Sequence, residues 1–330
     1  MTADLRAVAS GARVSVSTAS RALSRPDLVS ARTAARVREV AAALGYAPNA
    51  AGVALRSGRY GELTIMLHNL ANPLFARLVT RIQHYAQEQG LGVQIVDSQG
   101  TAELEQERIR SLLNRVDGII AVAPRLPDEA LTSASARLPL VVVNRDVPGV
   151  SSVTLDVATG LSRAVDHLAA LGHRHIAYVS GPTRTWSDDR RRRRVHDRAR
   201  VHGVRVQSLG PLAPVFRSGL TAAEDVLTSG VSAVIAYNSL IALGLAYQLR
   251  VAGIALPDEL SIVAGDDMEV RGTDPATLTA LHLPIDEAAS RAVDLLGEII
   301  AGGVPTGAVR IETPLLLGDS TTARPLNSGR

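Results

Sequence analysis

The sequence predicts an α/β protein, with a small helical head over residues 1–47 and a larger body of parallel sheets covered by helices over residues 60–330. Three observations predict it. Short apolar runs alternate with helical stretches from Leu63 onward, the first 47 residues show helical periodicity only, and the charge is divided between the two parts. Residues 1–60 hold nine arginines against Asp4, Asp27 and Glu39, a net of +6, so an overall charge of +3 leaves −3 on the rest. A compact basic head on a mildly acidic body is the balance of a nucleic-acid-binding module attached to a part that binds none. On charge alone, a solvated basic face is the alternative.

Composition narrows the function classes. The chain has 330 residues, 46% of them hydrophobic, enough for a sizeable core in roughly two domains. Cysteine is absent, which excludes disulfide frameworks, thiolate metal sites, iron–sulfur ligation and cysteine nucleophiles, and fits a reducing cytosol. All 35 Lys+Arg residues are arginine, so no lysine serves a P-loop or a Schiff base. The start has no basic segment followed by an apolar run, and no stretch of about 18 apolar residues follows, so a cytoplasmic protein without a membrane partner is expected.

Asp4 stands at an N-cap position, and Leu5, Val8, Ala9 and Ala12 form a one-sided stripe, which predicts a short first helix. Ser15 is placed to cap a second helix, with Val14 stapled onto Ala19. Ala19 and Leu23 then face inward, while Ser17, Ser20 and Arg21 form a small polar, cationic front. A third helix follows Ser30, with Val37, Val40, Ala41 and Leu44 as its stripe and Gly45 as its stop. Three helices joined by tight turns make a helix-turn-helix head.

In the body the apolar runs are Leu63–Leu67, Val93–Val96, Gly118–Val122, Leu140–Val143, Ile176–Val179, Ala233–Ala236 and Ser261–Ala264. Strands this short, separated by helices of ten to fifteen residues, indicate parallel sheets covered on both faces. Two sheets, divided near residue 157, suit the length better than one domain. Enzyme signatures are missing. His173-Arg174-His175 reads as a turn entering a strand, Gly90-Leu91-Gly92 follows a helix and lacks a third glycine, and neither Gly-x-Ser-x-Gly nor His-Glu-x-x-His occurs. No catalytic role and no cofactor are expected.

The run Val8-Ala9, Val14-Ser15-Val16-Ser17-Thr18-Ala19-Ser20-Arg21-Ala22-Leu23, Val29-Ser30, Thr33, Arg36-Val37 and Leu44-Gly45-Tyr46-Ala47-Pro48-Asn49 resembles the head of the lactose-repressor/galactose-repressor (LacI/GalR) family. The resemblance continues through Asn72-Pro73-Leu74-Phe75, Val116-Asp117-Gly118-Ile119-Ile120, His167-Leu168, Leu171-Gly172-His173-Arg174-His175-Ile176-Ala177, Ala236-Tyr237-Asn238 and Asp266-Asp267. It implies a periplasmic-binding-protein-like core with an N-subdomain of about 60–156 plus 284–312 and a C-subdomain of about 157–283 plus 313–330. It also implies a transcriptional regulator, usually a repressor, that binds palindromic double-stranded DNA as a homodimer and answers to a small molecule in the cleft between the subdomains.

Carried over residue by residue, Val16, Ser17 and Arg21 read base edges and Thr18 and Ser20 meet phosphates, with ordinary helix surface as the alternative for the serines. An arginine fork suits guanine O6/N7, and a valine suits the thymine methyl. Residues 48–59 resemble the family's hinge, in which Asn49 contacts DNA and Leu55 wedges into the minor groove; a flexible linker is the alternative. Two departures stand out. Arg13 replaces the turn glycine, so a left-handed φ there carries strain of order 1 kcal/mol. Gly52 in the hinge lowers helix stability by about 1 kcal/mol relative to alanine.

For the effector the resemblance assigns Phe75, Asn144, Arg145, Trp186, Arg190, Asn238 and Asp266. Arg190 completes a Ser187-x-x-Arg190 resembling the family's clamp, and the other arginines of 190–194 read as a solvated face. Phe75 as core and Asp266 as a cap are the plainer alternatives. Asn144 and Ser239 stand where acids are common, so the pocket is less acidic than in sugar-responsive relatives. Carbohydrate is the family default, with a nucleoside or acidic metabolite open. A cytoplasmic small-molecule binding protein with a degenerate head is the competing reading.

Overall fold

The computed structural model describes residues 4–46, 58–183, 185–267, 278–304 and 307–324. The expectations for Asn49, Gly52 and Leu55 lie outside the described residues. The chain divides into two units, residues 1–61 and 62–330.

In the first unit, α1 (Leu5–Gly11), α2 (Val16–Ser24) and α3 (Ala31–Ala43) start where the polar caps sit. Asp4 Oδ1 accepts from Ala7 N at 2.8 Å, Ser15 Oγ from Thr18 N at 3.1 Å and Ser30 Oγ from Thr33 N at 3.2 Å. Their inward faces, Val8, Ala9, Ala12, Ala19, Ala22, Val37 and Ala41, make a core of small side chains. Such a core allows close helix approach: a Cβ on Gly11 would lie 2.7 Å from Val40 Cγ1.

Arg13 adopts φ +51° in the turn before α2, so the chain makes the left-handed turn without glycine. An L-residue in that region costs about 1–2 kcal/mol. Arg13→Gly is therefore expected to stabilise the head by up to about 1 kcal/mol after glycine's greater unfolded-state entropy is subtracted. Amide hydrogen exchange along α1 and α3 checks this, and protection should rise several-fold.

The second unit holds two six-stranded sheets. The first has the order β11 (Ala308–Ile311), β5 (Ser151–Leu155), β4 (Leu140–Val143), β3 (Gly118–Val122), β1 (Glu62–Leu67), β2 (Gly92–Asp97). The second runs β12 (Leu315–Leu316), β10 (Thr279–Leu281), β9 (Ser261–Ala264), β8 (Ala233–Ala236), β6 (His175–Val179), β7 (Arg205–Leu209). Every pairing is parallel except β10 with β12. Strands β1, β3, β4, β6, β8 and β9 are almost wholly buried, which is why they appear in the sequence as unbroken apolar runs.

The helices α4 (Pro73–Glu88), α5 (Ala102–Leu112), α6 (Asp128–Ser135), α7 (Val157–Ala170), α8 (Trp186–Val201), α9 (Phe216–Thr228), α10 (Ser239–Val251) and α11 (Ile285–Ile300) cover these sheets. The chain changes sheet three times, after β5, after β10 and between β11 and β12. At the first change Asp156 caps α7 through Thr159 N (3.3 Å), and Thr313 Oγ1 donates to its carbonyl (3.1 Å), tying the first and third changes together. One apolar cluster runs from Leu63 and Phe75 through Leu161 and Tyr178 to Leu283 and Leu296, joining the two sheets. Separate clusters fill the other face of each sheet. Among the described residues no helix is long and apolar enough to cross a membrane.

Candidate functional site

Two places in the chain gather the chemistry, one in each unit. In the head, α2 buries Ala19 and Ala22 and leaves Val16, Ser17 and Arg21 exposed, with Thr18 and Ser20 half-buried. Thr18 Oγ1 and Ser17 Oγ lie 2.8 and 2.9 Å from the Ser15 hydroxyl, so both cluster about the cap. No hydrogen bond or ion pair is made by the Arg21 guanidinium among the described residues. The helix thus offers an exposed apolar tip, small hydroxyls and one uncommitted cation on a single face.

In the core, the carboxyl ends of β1, β3 and β4 and the start of α8 surround a cavity of about 540 Å³. That is within the usual size of a small-ligand site. Phe75, Asn144, Arg145 and Trp186 all line it. Phe75 is also core: it is buried in α4 and meets the His68 ring edge-on at 5.0 Å. Asn144 and Ala123 both take left-handed φ, +63° and +47°, at the ends of β4 and β3, so two strained residues shape this wall.

Three of the seven effector residues expected from the sequence lie elsewhere. Asn238 is buried as the cap of α10, accepting from Ile241 N (3.0 Å) and donating to the Pro214 carbonyl (3.3 Å). Asp266 is buried, and its carboxylate accepts the Ser239 backbone N–H and hydroxyl; burial raises its pKa. Both border a smaller void with Asn72 and Arg77. Arg190 does not line the cavity; its guanidinium rests over the Trp186 ring, 4.6 Å from the centroid. Arg145 does line it, yet Nη1 and Nη2 are committed to the Pro124 and Leu126 carbonyls and to Asp128.

The buried arginine of α8 is the next residue, Arg191, which is 4% exposed. Its Nη1 donates to the Tyr237 carbonyl at 2.7 Å, and its guanidinium lies 4.3 Å from the centroid of the Tyr237 ring, which lines the cavity. Asp188, one turn earlier, accepts from Tyr178 Oη (3.0 Å) and Gly181 N (2.8 Å). A signal for this existed. Val195 and Ala199 are the apolar members of the buried stripe, and stepping back by four and then three reaches Arg191 and Asp188.

The N-terminal segment, residues 4–49, matches the model of bacterial regulatory proteins, lacI family, and residues 165–321 match that of a periplasmic binding protein-like domain. The HTH-type transcriptional regulator GalS of Salmonella typhimurium is 31% identical over 322 residues, covering 95% of this chain and 94% of that protein. The chain belongs to the lacI family. The HTH-type transcriptional repressor CytR of Escherichia coli is 27% identical over 332 residues, 98% of this chain and 97% of CytR. Among solved structures, a Lac repressor dimer bound to operator and the anti-inducer ONPF aligns with a TM-score of 0.89 at 24% identity, over 98% of this chain and 100% of that one. A complex of the regulator CelR with cellobiose gives 0.71 at 24%, over 96% and 99%.

Within this lacI-family core, histidines take two roles. His173 is structural: it is buried, with Nδ1 2.8 Å from Ser232 Oγ and Nε2 3.1 Å from the Thr322 carbonyl, which leaves no ring nitrogen for a metal. His68 lines the cavity with Nδ1 buried and unpartnered among the described residues. Burial first, and Arg125 second, lower its pKa from 6.5 to about 4, with only Asp97 opposing. Between those values the unfolded chain binds a proton that the folded core does not, so stability is lost as pH falls from 6.5 towards 4. Urea unfolding at pH 7 and pH 5 tests this. His68→Gln should reduce the loss, while His167, His173 and His196, also lowered by burial, maintain the remainder.

Proposed function

We propose that this lacI-family chain is a sequence-specific DNA-binding transcriptional regulator, acting as a repressor, whose operator affinity is set by a small molecule held in the core cavity. It works in the cytoplasm as a homodimer on a palindromic site, with residues 1–47 as the reading head, 48–59 as the hinge and 60–330 as the effector-binding core. The observation that carries this reading is the α2 face. A capped helix buries its alanines and presents Val16, Ser17 and Arg21, in the segment that matches the lacI model. In the major groove Arg21 reaches guanine O6/N7, Val16 meets a thymine methyl, and Thr18 and Ser20 hold phosphates. Asn49 and Leu55 supply the hinge contacts.

The core supplies control. Its two sheets are joined by three crossings of the chain, an arrangement that lets the halves rotate about a short hinge when the cavity is filled. A differential affinity of about 1–3 kcal/mol between open and closed forms suffices for a regulatory response. Phe75, Asn144 and Trp186 contact the effector. Arg191 acts through Tyr237, in the role expected of Arg190. In relatives the effectors include sugars, as in the CelR complex with cellobiose.

Selection of random duplexes by the purified chain at about 150 mM salt, where non-specific phosphate binding is suppressed, tests the reading. Enrichment of a two-fold symmetric site is the expected result. Failure to enrich any site, with and without metabolite extract, would move the competing reading of a small-molecule carrier to first place.

A further inference from the structure

The cavity is rich in donors and poor in acceptors of charge. Among the described residues its lining includes Arg125 and Arg145 and no aspartate or glutamate. The two cations differ in how free they are. Arg145 donates from Nη1 to the Pro124 and Leu126 carbonyls (2.9 and 2.7 Å), and its Nη2 meets Asp128 at 2.5 Å. It therefore holds the 124–128 loop in shape, and its charge is answered. Arg125 sits on that same loop without such an outlet. Among the described residues its guanidinium makes no ion pair and no hydrogen bond; its Nε is buried and unpartnered, as is that of Arg145, so the difference between the two lies in their Nη groups.

Two acids lie near this corner; both spend their oxygens on other donors, and Glu105 offsets part of the Arg125 charge without pairing with its guanidinium. The carboxylate of buried Glu105 accepts from the backbone N–H groups of Arg125 and Leu126 (2.8 and 2.9 Å) and from Ser98 Oγ (3.3 Å). Asp97 Oδ1 accepts from Gln99 N at 2.7 Å. His68 is held neutral through the physiological range, so it adds no charge to the corner.

A half-buried guanidinium with no partner on its own Nη groups is satisfied best by an oxyanion, which takes two of its N–H groups in a fork; neutral hydroxyls supply acceptors but no charge. The remaining wall mixes side-chain amides and hydroxyls with three rings, Phe75, Trp186 and Tyr237, around one space of about 540 Å³. We infer that the effector is an anion, a small ring-bearing metabolite whose carboxylate or phosphate is bound by Arg125 while its body lies against Phe75, Trp186 and Tyr237. The inference rests on the reading of this cavity as the effector site, and it departs from a neutral sugar.

Trp186 is the only tryptophan in the chain, so its emission reports occupancy of the cavity. A size-filtered bacterial metabolite extract is separated by anion exchange into neutral and anionic fractions. Each is titrated into the full chain, with the bound species weighed by native mass spectrometry. The anionic fraction is expected to shift Trp186 emission, and Arg125→Met to require at least about 30-fold more of it. Arg125→Lys keeps the charge, loses the fork and falls between the two. Far-UV spectra establish that both variants are folded.

Phosphatase treatment of the anionic fraction separates the two sources: loss of the response assigns a phosphate, persistence a carboxylate. A response carried by the neutral fraction, or one that Arg125→Met and Arg125→Lys leave unchanged, overturns the inference and leaves the cavity as the effector site. No emission change and no bound mass from either fraction overturns the reading of the cavity, and the inference with it.

Discussion

Arg21→Ala is expected to erase the preference for guanine in duplex selection while leaving the head folded. The side chain is exposed and makes no contact that holds α2 in place; the helix is fixed by the Ser15 cap and by the burial of Ala19 and Ala22. A bidentate arginine–guanine pair is worth about 1–3 kcal/mol of discrimination, so two heads on a symmetric site lose about twice that. The expected selection result is a collapse of enrichment at the guanine positions of both half-sites. Ser15→Ala provides the contrast. It removes a cap worth about 1 kcal/mol, lowers the protection of α2 amides, and weakens binding without changing which bases are preferred. If Arg21→Ala still enriches the wild-type site, another residue of the α2 face reads it.

Gly244→Ala should be the most damaging single-methyl change in the core. Helices α9 and α10 cross where Gly219 faces Gly244. A Cβ on Gly244 would lie 2.0 Å from the Phe216 carbonyl oxygen, and one on Gly219 2.2 Å from that of Ile241. These neighbours are backbone atoms, so no rotamer change relieves the clash and the helices must separate, opening the cluster around Leu245, Ala223 and Val226. Overpacking costs about 1–3 kcal/mol, and a clash against backbone belongs at the upper end, about 3 kcal/mol. In a domain of this size that lowers the melting temperature by roughly 6–12 °C. Gly253→Ala is the control. Nothing lies within 4 Å of a Cβ there, and only its φ of +83° opposes the change, so a loss of about 1 kcal/mol is expected in the same thermal scan. Equal losses would mean that close approach does not govern the α9–α10 crossing.

How much of this was legible in the sequence depends on what each segment touches. The seven strands found as apolar runs are mostly interior ones with helices on both faces. Strand β5 is also interior, but its buried Ser151, Ser152 and Thr154 break the apolar run, so it gives no such signal. The edge strands β7 and β11 are largely exposed and carry Arg205 and Arg310, while β12 is two residues long, so none produces a hydrophobic signal. The helix caps were legible because a cap depends on spacing of three residues within one segment.

The site was harder to read. Phe75, Asn144, Arg145 and Trp186 converge because they follow strand ends or begin a helix, which a topological rule can anticipate. The loop that carries Arg125 is held by Arg145, twenty residues away, through the Pro124 and Leu126 carbonyls, and no local pattern encodes that contact. Arg190 and Arg191 are adjacent in a run of five arginines, and one residue of helix, about 100° of rotation, separates a guanidinium over Trp186 from one buried against Tyr237.

The three crossings between the sheets bear on how this protein is made. The first sheet is missing β11 until residue 311 has been synthesised, and α11, which packs against β3, β4 and β5, arrives only at residues 285–300. Nearly the whole chain must leave the ribosome before either half of the core can close, whereas the three helices of the head are complete by residue 43. At synthesis rates of about 5–20 residues per second, the half-built core spends many seconds with an apolar sheet uncovered, a period in which chaperone binding competes with aggregation. The same interleaving constrains inheritance. A contiguous gene segment can carry the head to a new partner, but no single cut yields either half of the core intact.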